Sequence, residues 1–599
     1  MEINKKSFYN DPSINLVDPL IWDGAKETSA IIKSALAEAL NHGDMEVELS
    51  IPMQKGFGDY STNIAMILAK NRQLNPRELA KEIADKLSTD ISLKDIVARI
   101  DVAGPGFINF TLTNKALMRE MLESLLLRQD YGKQEILAGK RIMFEYAHPN
   151  PFKAFHIGHL RNIILGESLI RLLEHMGAEV IRVNYQGDVG MHIAKCLYAF
   201  KKIPKEEYPQ DVTGRVNLLA KCYAEGASDY NDEQQAEEIK RINSLIYAKT
   251  DPEINNLWEI GKQWSLDKFR EIYSRVDSSF IREYFESETL TSCLELIEQA
   301  VNKGVLEQSE GAIVFKGEAY GLDTRVFLNS QGLPTYEGKE LGLASMQFSD
   351  YGNIDLNIHN VAVEQISFFK VTFKVEALLD PEKYQGKQYH NAYEFVGLKS
   401  GKMSSRTGNV VLGEDILNEG SKLVRDILKQ RENFSEEKIA KTAEAIGVGA
   451  IKYSFLNISP KSYLAFDLEK SVSFDGNSGP YLQYTYARSH KIVRDAQGYR
   501  PLKIADLKNL ELNDEEQALL HKIRAFKDVV VESAKHLAPN LLCTYLFDLS
   551  QTYNQFYKQH LILKAEEPQR SLRIMLSDSV SQVVETGLYL LGIKVVREM

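Results

Sequence analysis

Residues 148–162 read HPNPFKAFHIGHLRN, with three histidines, two prolines and a lysine directly ahead of an apolar helical pattern. His156 and His159 stand three residues apart with Gly158 between them. A helix N-terminus presents unpaired N–H groups and a partial positive charge, and imidazoles placed there add donors for phosphate oxygens. Gly158 would let a ligand approach the backbone closely, while Pro149 and Pro151 stiffen the loop. The stretch suits a nucleotide, although the phosphate-loop pattern GxxxxGK[ST] is absent. A second stretch, GLKSGKMSSRTGNVV at 397–411, complements it. It follows a strand pattern, is rich in glycine and serine (Ser404 and Ser405 among them), and carries Lys402 and Arg406. Such a loop can clamp a triphosphate as charge builds on the leaving pyrophosphate, acting by electrostatics and positioning.

The elements that must hold these residues are legible. GKRIMFEYAHP (139–149) is an apolar strand, a helix follows over about 157–176, and AEVIRVNY (178–185) is a second strand. That is a βαβ unit, which implies a parallel sheet with a right-handed crossover. Ligands of such sheets sit at the carboxyl ends of the strands, where His148–His159 falls. Residues 200–310 are helical, polar and charge-rich, and read as an insertion that splits the sheet. Strand patterns resume at 311–317, 324–329, 353–365 and 389–398, with helices over 337–349 and 366–379. Upstream, residues 26–130 read as a small α+β unit closed by the alternating strand GPGFINFTLT (104–113). From about 411 onward the pattern is helical, with amphipathic blocks at 514–536, 540–562 and 569–591 that suggest a separate bundle.

The chain of 599 residues exceeds what one hydrophobic core fills, so several domains are expected. No apolar run approaches the roughly 20 residues of a membrane span, and the first residues lack a signal-peptide pattern. A cytoplasmic protein with no membrane partner is expected. The four cysteines (Cys196, Cys222, Cys293, Cys543) form no CxxC pair, which argues against a zinc ribbon or a disulfide framework. A net charge of −11 argues against indiscriminate nucleic-acid binding but leaves room for a local basic strip.

HIGH at 156–159 and KMSSR at 402–406 resemble the two signatures of class I aminoacyl-tRNA synthetases, in the right order and strand context. FGDYSTNIAMILAK (57–70), AGPGFINF (103–110), GNSGPYLQYTYAR (476–488) and the ending ETGLYLLGIKVVREM resemble the arginyl-tRNA synthetase family. The resemblance runs from about residue 26 to 599. It implies an α/β class I fold, with a Rossmann-like parallel-sheet catalytic domain over 136–410 split by the insertion at about 200–310. An additional α+β tRNA-binding domain would span 26–135, after an N-terminal extension over 1–25. A helical stem over 411–475 and an all-α anticodon-binding bundle over 476–599 would complete it.

The resemblance also implies roles. His156, His159, Lys402, Arg406 and Lys153 would act on ATP, Lys153 replacing the lysine that many synthetases carry where this chain has Ser405. Gly158, Ser404 and Ser405 would line the ATP site. A guanidinium asks for a planar carboxylate partner and a flat face. Glu145, Asn150, Tyr336, Glu340 and Gln365 match the family's arginine-binding positions. At Glu340 the family usually has aspartate in a YxTRD setting, where this chain reads YEGKE; its GDVG (187–190) stands where GDWG is usual. Asn109, Tyr481, Tyr484 and Arg488 are the candidate tRNA-binding residues, although Asn109 fits a turn or strand residue with no RNA contact and the tyrosine run 481, 484, 486 fits a helix core as well as a stacking platform. The implied substrates are arginine, ATP with Mg²⁺ and tRNA(Arg), with no protein metal site and a monomeric chain. Other readings are a synthetase for cysteine or lysine, a synthetase-like protein without catalysis, and a smaller nucleotidyltransferase sharing the histidine motif.

Overall fold

A computed structural model describes residues 28–40, 47–50, 52, 57–399, 411–430, 434–496, 501–502 and 510–599. The N-terminal unit contains helices α1 (Thr28–Ala39), α2 (Ile64–Arg72), α3 (Pro76–Ser88) and α4 (Asn114–Leu127). Its strands β1 (Tyr60–Thr62), β2 (Val97–Ala103) and β3 (Phe107–Leu112) form an antiparallel sheet in the order β1-β3-β2.

The central sheet has five parallel strands in the order β11-β10-β4-β5-β6. They are β4 (Arg141–Glu145), β5 (Glu179–Gln186), β6 (Arg282–Phe285), β10 (Leu356–Ala362) and β11 (Gln388–Tyr393). Helix α5 (Ile157–His175) crosses from β4 to β5 and is buried along most of its length. Ile142, Met143, Phe144 and Glu145 of β4 are all buried, as a strand covered on both faces requires.

Helices α6 (Met191–Phe200), α7 (Val212–Asp229), α8 (Glu233–Ala248) and α9 (Pro252–Arg275) form the insertion around their own core of Phe200, Trp258 and Trp264. The helical region expected over about 200–310 is therefore interrupted. β6 falls inside it and joins the parallel sheet, followed by α10 (Glu286–Asn302). Four residues, REYF, are too few to show an alternating pattern between long helices. The strand patterns at 311–317 and 324–329 also differ from expectation. With β7 (Glu307–Ser309), strands β8 (Ala312–Phe315) and β9 (Arg325–Leu328) make a separate antiparallel sheet rather than resuming the central one. Alternation marks a strand but not its partner.

Helices α11 (Tyr336–Tyr351) and α12 (Ile366–Leu379) flank β10, and β12 (Val396–Leu398) ends at the segment 400–410. Helices α13 (Gly413–Leu428) and α14 (Glu436–Leu456), with β13 (Leu464–Phe466) paired to β12, lead to the bundle. The bundle comprises α15 (Gly479–Asp495), α16 (Asp514–Lys535), α17 (Pro539–Gln559) and α18 (Gln569–Leu590). One continuous apolar core runs from the N-terminal unit through α5 into this bundle. Polar contacts reinforce it: Ser168 Oγ donates to the Leu590 carbonyl at 3.0 Å, and Arg128 pairs with Asp578 at 2.7 Å. Among the described residues no helix is long and apolar enough to cross a membrane. The four cysteines are free and buried.

Candidate active site

The loop between β4 and α5 is built under strain. Ala147, His148 and Phe152 have φ of 77°, 50° and 66°, the left-handed region that non-glycine residues avoid. Each of their N–H groups is held by a buried side chain. Asn162 Oδ1 accepts from Ala147 at 2.8 Å, Asn184 Oδ1 from His148 at 3.1 Å and Ser265 Oγ from Phe152 at 3.0 Å. Asn162 is itself anchored by donating to the Asn360 carbonyl at 2.8 Å, and Asn391 donates to Asn360 Oδ1 at 2.9 Å. The Phe152 ring fits only because residue 261 is glycine: a Cβ there would lie 2.2 Å from the ring.

His156 caps α5 and forms a reciprocal box with His159. His156 Nδ1 accepts from the Gly158 N–H at 3.1 Å, and His159 Nδ1 accepts from the His156 N–H at 3.2 Å. The rings stack with centroids 3.7 Å apart. Gly158 makes room for this, since a Cβ would come within 2.9 Å of the His156 ring. The glycine thus serves the imidazole before any ligand. Burial lowers both imidazoles, with Lys153 adding repulsion at His156 and His156 adding it at His159, which falls well below the usual histidine range. Both rings are neutral at pH 7. With each Nδ1 accepting, the ring proton sits on Nε2, so α5 opens on two Nε2–H donors.

The segment with Lys402, Ser404, Ser405 and Arg406 lies outside the described residues. The residues that follow it return to the histidines. Ile157 N–H donates to the Val411 carbonyl at 2.9 Å and Gly413 N–H to the Phe155 carbonyl at 2.8 Å. Lys153 is exposed in the same loop, with no ion pair among the described residues.

Behind the histidines lies a buried acidic floor. Glu145 ends β4, and its carboxylate faces Gln347 Nε2 at 2.5 Å and His359 Nδ1 at 3.4 Å. Burial pushes the Glu145 carboxyl up, but His359 outweighs it and holds it below the usual range. Glu340 is 4% exposed, and its Oε1 has no hydrogen-bond partner. Burial keeps its carboxyl well above the usual range, the pull of His359 being opposed by the repulsion of Glu145 and Glu376. Tyr336 stands one helical turn before Glu340, 69% exposed, with the Lys339 ammonium 4.8 Å from its ring centroid. Lys339 pairs with the buried Glu286. Asn150 Oδ1 accepts from the Gly187 N–H at 2.7 Å. Gln365 is half-buried at the turn after β10.

These positions group unevenly. Glu145, Asn150, Lys153, Gly158, His156 and His159 share the β4–α5 end, and Tyr336 and Glu340 run as a wall from an exposed rim to the floor. Asn109 lies elsewhere. It is buried, 3% exposed, in the central strand of the N-terminal sheet. In α15, Tyr486 is core at 1% exposure, whereas Tyr481 and Tyr484 are half-buried. Arg488 is packed between the Tyr484 and Tyr557 rings, at 4.5 and 4.7 Å, and donates to Asn554 Oδ1 at 2.6 Å. Sequence reading missed Asn162, Asn184, Ser265, Gln347, His359 and Glu376. Apart from Asn162, which ends the 148–162 stretch, none stands in a short motif, and each is brought in by a different element. Asp188 of GDVG is fully buried against Lys262 at 2.7 Å and Ser287, and so supports the turn after β5.

Comparison with known proteins follows the same division. Residues 121–467 match the family described as tRNA synthetases class I (R), catalytic domain. Residues 26–112 match the arginyl tRNA synthetase N terminal domain, and 482–599 the DALR anticodon binding domain. Fold and site thus define a class I tRNA synthetase. The arginine–tRNA ligase of Clostridium perfringens is 30% identical over 578 residues, covering 95% of this chain and 100% of that one. That of Treponema denticola is 33% identical over 559 residues, covering 91% and 93%. The solved Thermus thermophilus arginyl-tRNA synthetase superposes with a TM-score of 0.79 at 23% identity, covering 95% and 100%. The chain belongs to the arginyl-tRNA synthetase family.

Proposed function

We propose that this enzyme activates arginine with ATP and transfers it to tRNA(Arg). The observation that carries this reading is the unsatisfied, buried Glu340 carboxyl beneath an exposed tyrosine, beside a helix that opens on two neutral Nε2–H donors. A guanidinium reaching past Tyr336 would complete the acceptor at Glu340, and the substrate carboxylate would then lie toward α5. There it attacks the α-phosphate of ATP in line, giving arginyl-adenylate and pyrophosphate. His156 and His159 donate to phosphate oxygens without bringing a proton that could be lost. Lys153, Lys402 and Arg406 neutralise the leaving charge, with Mg²⁺ arriving on the triphosphate as part of the substrate. Gly158, Ser404 and Ser405 border the nucleotide. No side-chain nucleophile is needed, since the site works by positioning and charge. A terminal hydroxyl of the tRNA then takes the aminoacyl group from the adenylate.

Glu145, Asn150 and Gln365 complete the amino-acid site in this reading. The N-terminal unit and the bundle engage tRNA, with Tyr481, Tyr484 and Arg488 at the anticodon side. The chain acts in the cytoplasm as a monomer. ATP–pyrophosphate exchange with each amino acid, with and without tRNA, tests it. Exchange with arginine alone is expected, and only when tRNA is present. Exchange with another amino acid would sink the pocket assignment at Tyr336 and Glu340.

A further inference from the structure

The pocket floor contains a group that the reaction above does not use. His359 lies on β10 directly beside Glu145 in register and is fully buried. The Phe369 and Phe373 rings pack against it, with centroids 5.0 and 5.2 Å away. Its Nδ1 faces Glu145 Oε1 at 3.4 Å and Glu340 Oε1 at 3.8 Å. Its Nε2 faces Gln388 Oε1 at 3.0 Å. Gln388 is turned that way because its amide nitrogen donates to Glu376 Oε2 at 2.7 Å. Acceptors therefore stand at both ring nitrogens, which is the arrangement of an imidazolium. The titratable groups around the ring are Glu145 from β4, Glu340 from α11, Glu376 from α12, His148 from the β4–α5 loop and His390 from β11. Burial lowers the imidazole, but Glu145 and Glu340 overcome this and raise it to about 9.

Two cations then ask for the same oxygen. A guanidinium at Glu340 Oε1 would meet a second positive charge 3.8 Å from that atom, in a region closed to water. Buried like charges on one carboxylate repel, so the guanidinium binds more tightly once a proton has left. By linkage, binding must then expel that proton. Until substrate arrives, the same charge holds the buried Glu145 carboxyl below its usual range. We propose that His359 is a resident counter-ion of the arginine pocket whose charge arginine displaces, so that arginine enters with release of a proton from the ring. The proposal rests on the reading that arginine occupies this pocket.

The direct test is NMR of the full chain labelled at histidine Cε1, with the His359→Asn variant used to assign the resonance. Without arginine, His359 should read as imidazolium through pH 8. Saturating arginine should move its midpoint down by at least one pH unit, a tenfold change in proton affinity. A ring that is neutral at pH 7 without arginine, or a midpoint that arginine leaves in place, overturns the proposal. Where the variant does not fold, calorimetry on the native chain decides, using buffers of different ionisation enthalpy. About one proton released per arginine between pH 7 and 8.5, with a matching loss of charge at the histidine resonance that titrates highest, supports the proposal, and none released, or release that leaves that resonance unmoved, overturns it. No arginine binding at any pH, with ATP and tRNA present, would overturn the functional reading and this inference together. Binding without proton release overturns the inference alone.

Discussion

Two buried charge clusters lie on opposite sides of the first strand–helix unit, and they are finished differently. Behind α5, Glu167 is fully engaged. Its oxygens accept from Arg171 at 2.8 Å, Arg182 at 2.9 Å, Ser278 at 2.9 Å and Tyr146 at 3.2 Å. Arg171 continues to Asp277 at 3.0 Å and to the Tyr589 carbonyl at 3.0 Å, which ties the catalytic helix to the bundle. In the pocket, by contrast, Oε1 of Glu340 and Oε1 of Glu376 have no hydrogen-bond partner. Both clusters bury carboxylates beside cations. One meets both oxygens of its buried carboxylate with donors of the protein, and the other leaves carboxyl oxygens without one. Burial alone therefore does not mark a site; two open carboxyl oxygens gathered around one buried histidine set this cluster apart.

The largest effect expected from this contrast is on stability, at Glu167. Replacing it with glutamine removes the anion that Arg171 and Arg182 share and leaves each with one partly exposed carboxylate, Asp277 and Glu174, at a cost of about 3 kcal/mol. Burial pushes its carboxyl up, but Arg171 and Arg182 outweigh this and hold it below the usual range. Its stabilisation is therefore present above the unfolded-state value of about 4.3 and lost as pH falls through the folded one. Denaturant melts of wild type and Glu167→Gln should differ most at neutral pH and converge in acid. An equal gap at every pH would show that packing, not charge, is what Glu167 contributes.

Glu340→Gln should show the reverse pattern. Burial holds this carboxyl well above the usual range, so an uncharged amide in its place leaves folding stability about as it was. Arginine loses its anionic partner, and KM for arginine should rise by roughly a hundredfold, about 3 kcal/mol, with KM for ATP little moved. A melt shifted as far as that of Glu167→Gln would erase the distinction between the clusters.

Glu376 sharpens the contrast through pH. Burial raises its carboxyl to about 8, with Gln388 and His359 opposing. A folded value above the unfolded one gives stability that is complete below about pH 4.3 and declines as pH rises toward 8. Glu376→Gln removes that decline. It should match wild type near pH 4 and exceed it at pH 8, by about 1–3 kcal/mol in denaturant melts. A variant less stable than wild type at pH 8 would mean that the ionised carboxylate is held by a donor.

The same contrast explains what the sequence disclosed. The β4–α5–β5 unit, the long C-terminal helices and the histidine pair were legible because each is contiguous and periodic. Tyr336 and Glu340 were legible as one helix face. The four-residue β6 was not, because it is too short to alternate, and β8 and β9 were read as strands without their partner being readable. His359, Gln347 and Glu376 were hidden for a different reason. They meet Glu145 only after β10, α11 and α12 have packed, and each resembles an ordinary residue of its element. The burial of Asn109 was not legible either, because a strand pattern does not say which face is covered.

The smallest effect expected concerns the support of the strained loop, between the two clusters. Asn162 accepts the Ala147 N–H at 2.8 Å and donates to the Asn360 carbonyl at 2.8 Å, both buried. Asn162→Ala orphans one donor and one acceptor, costing about 1–3 kcal/mol, part of it recovered if Ala147 leaves its left-handed conformation. That relaxation matters more than the melt. The loop carries Asn150 and Lys153 and ends at His156, so its movement should lower kcat in arginine-dependent pyrophosphate exchange by about tenfold or more. The KM for arginine should change less, because Glu340 and Tyr336 stand on α11 and do not depend on this loop. An equal loss in kcat and in arginine binding would instead join loop and floor into one unit, and the separation of the saturated from the open cluster would not extend to the chemistry they serve.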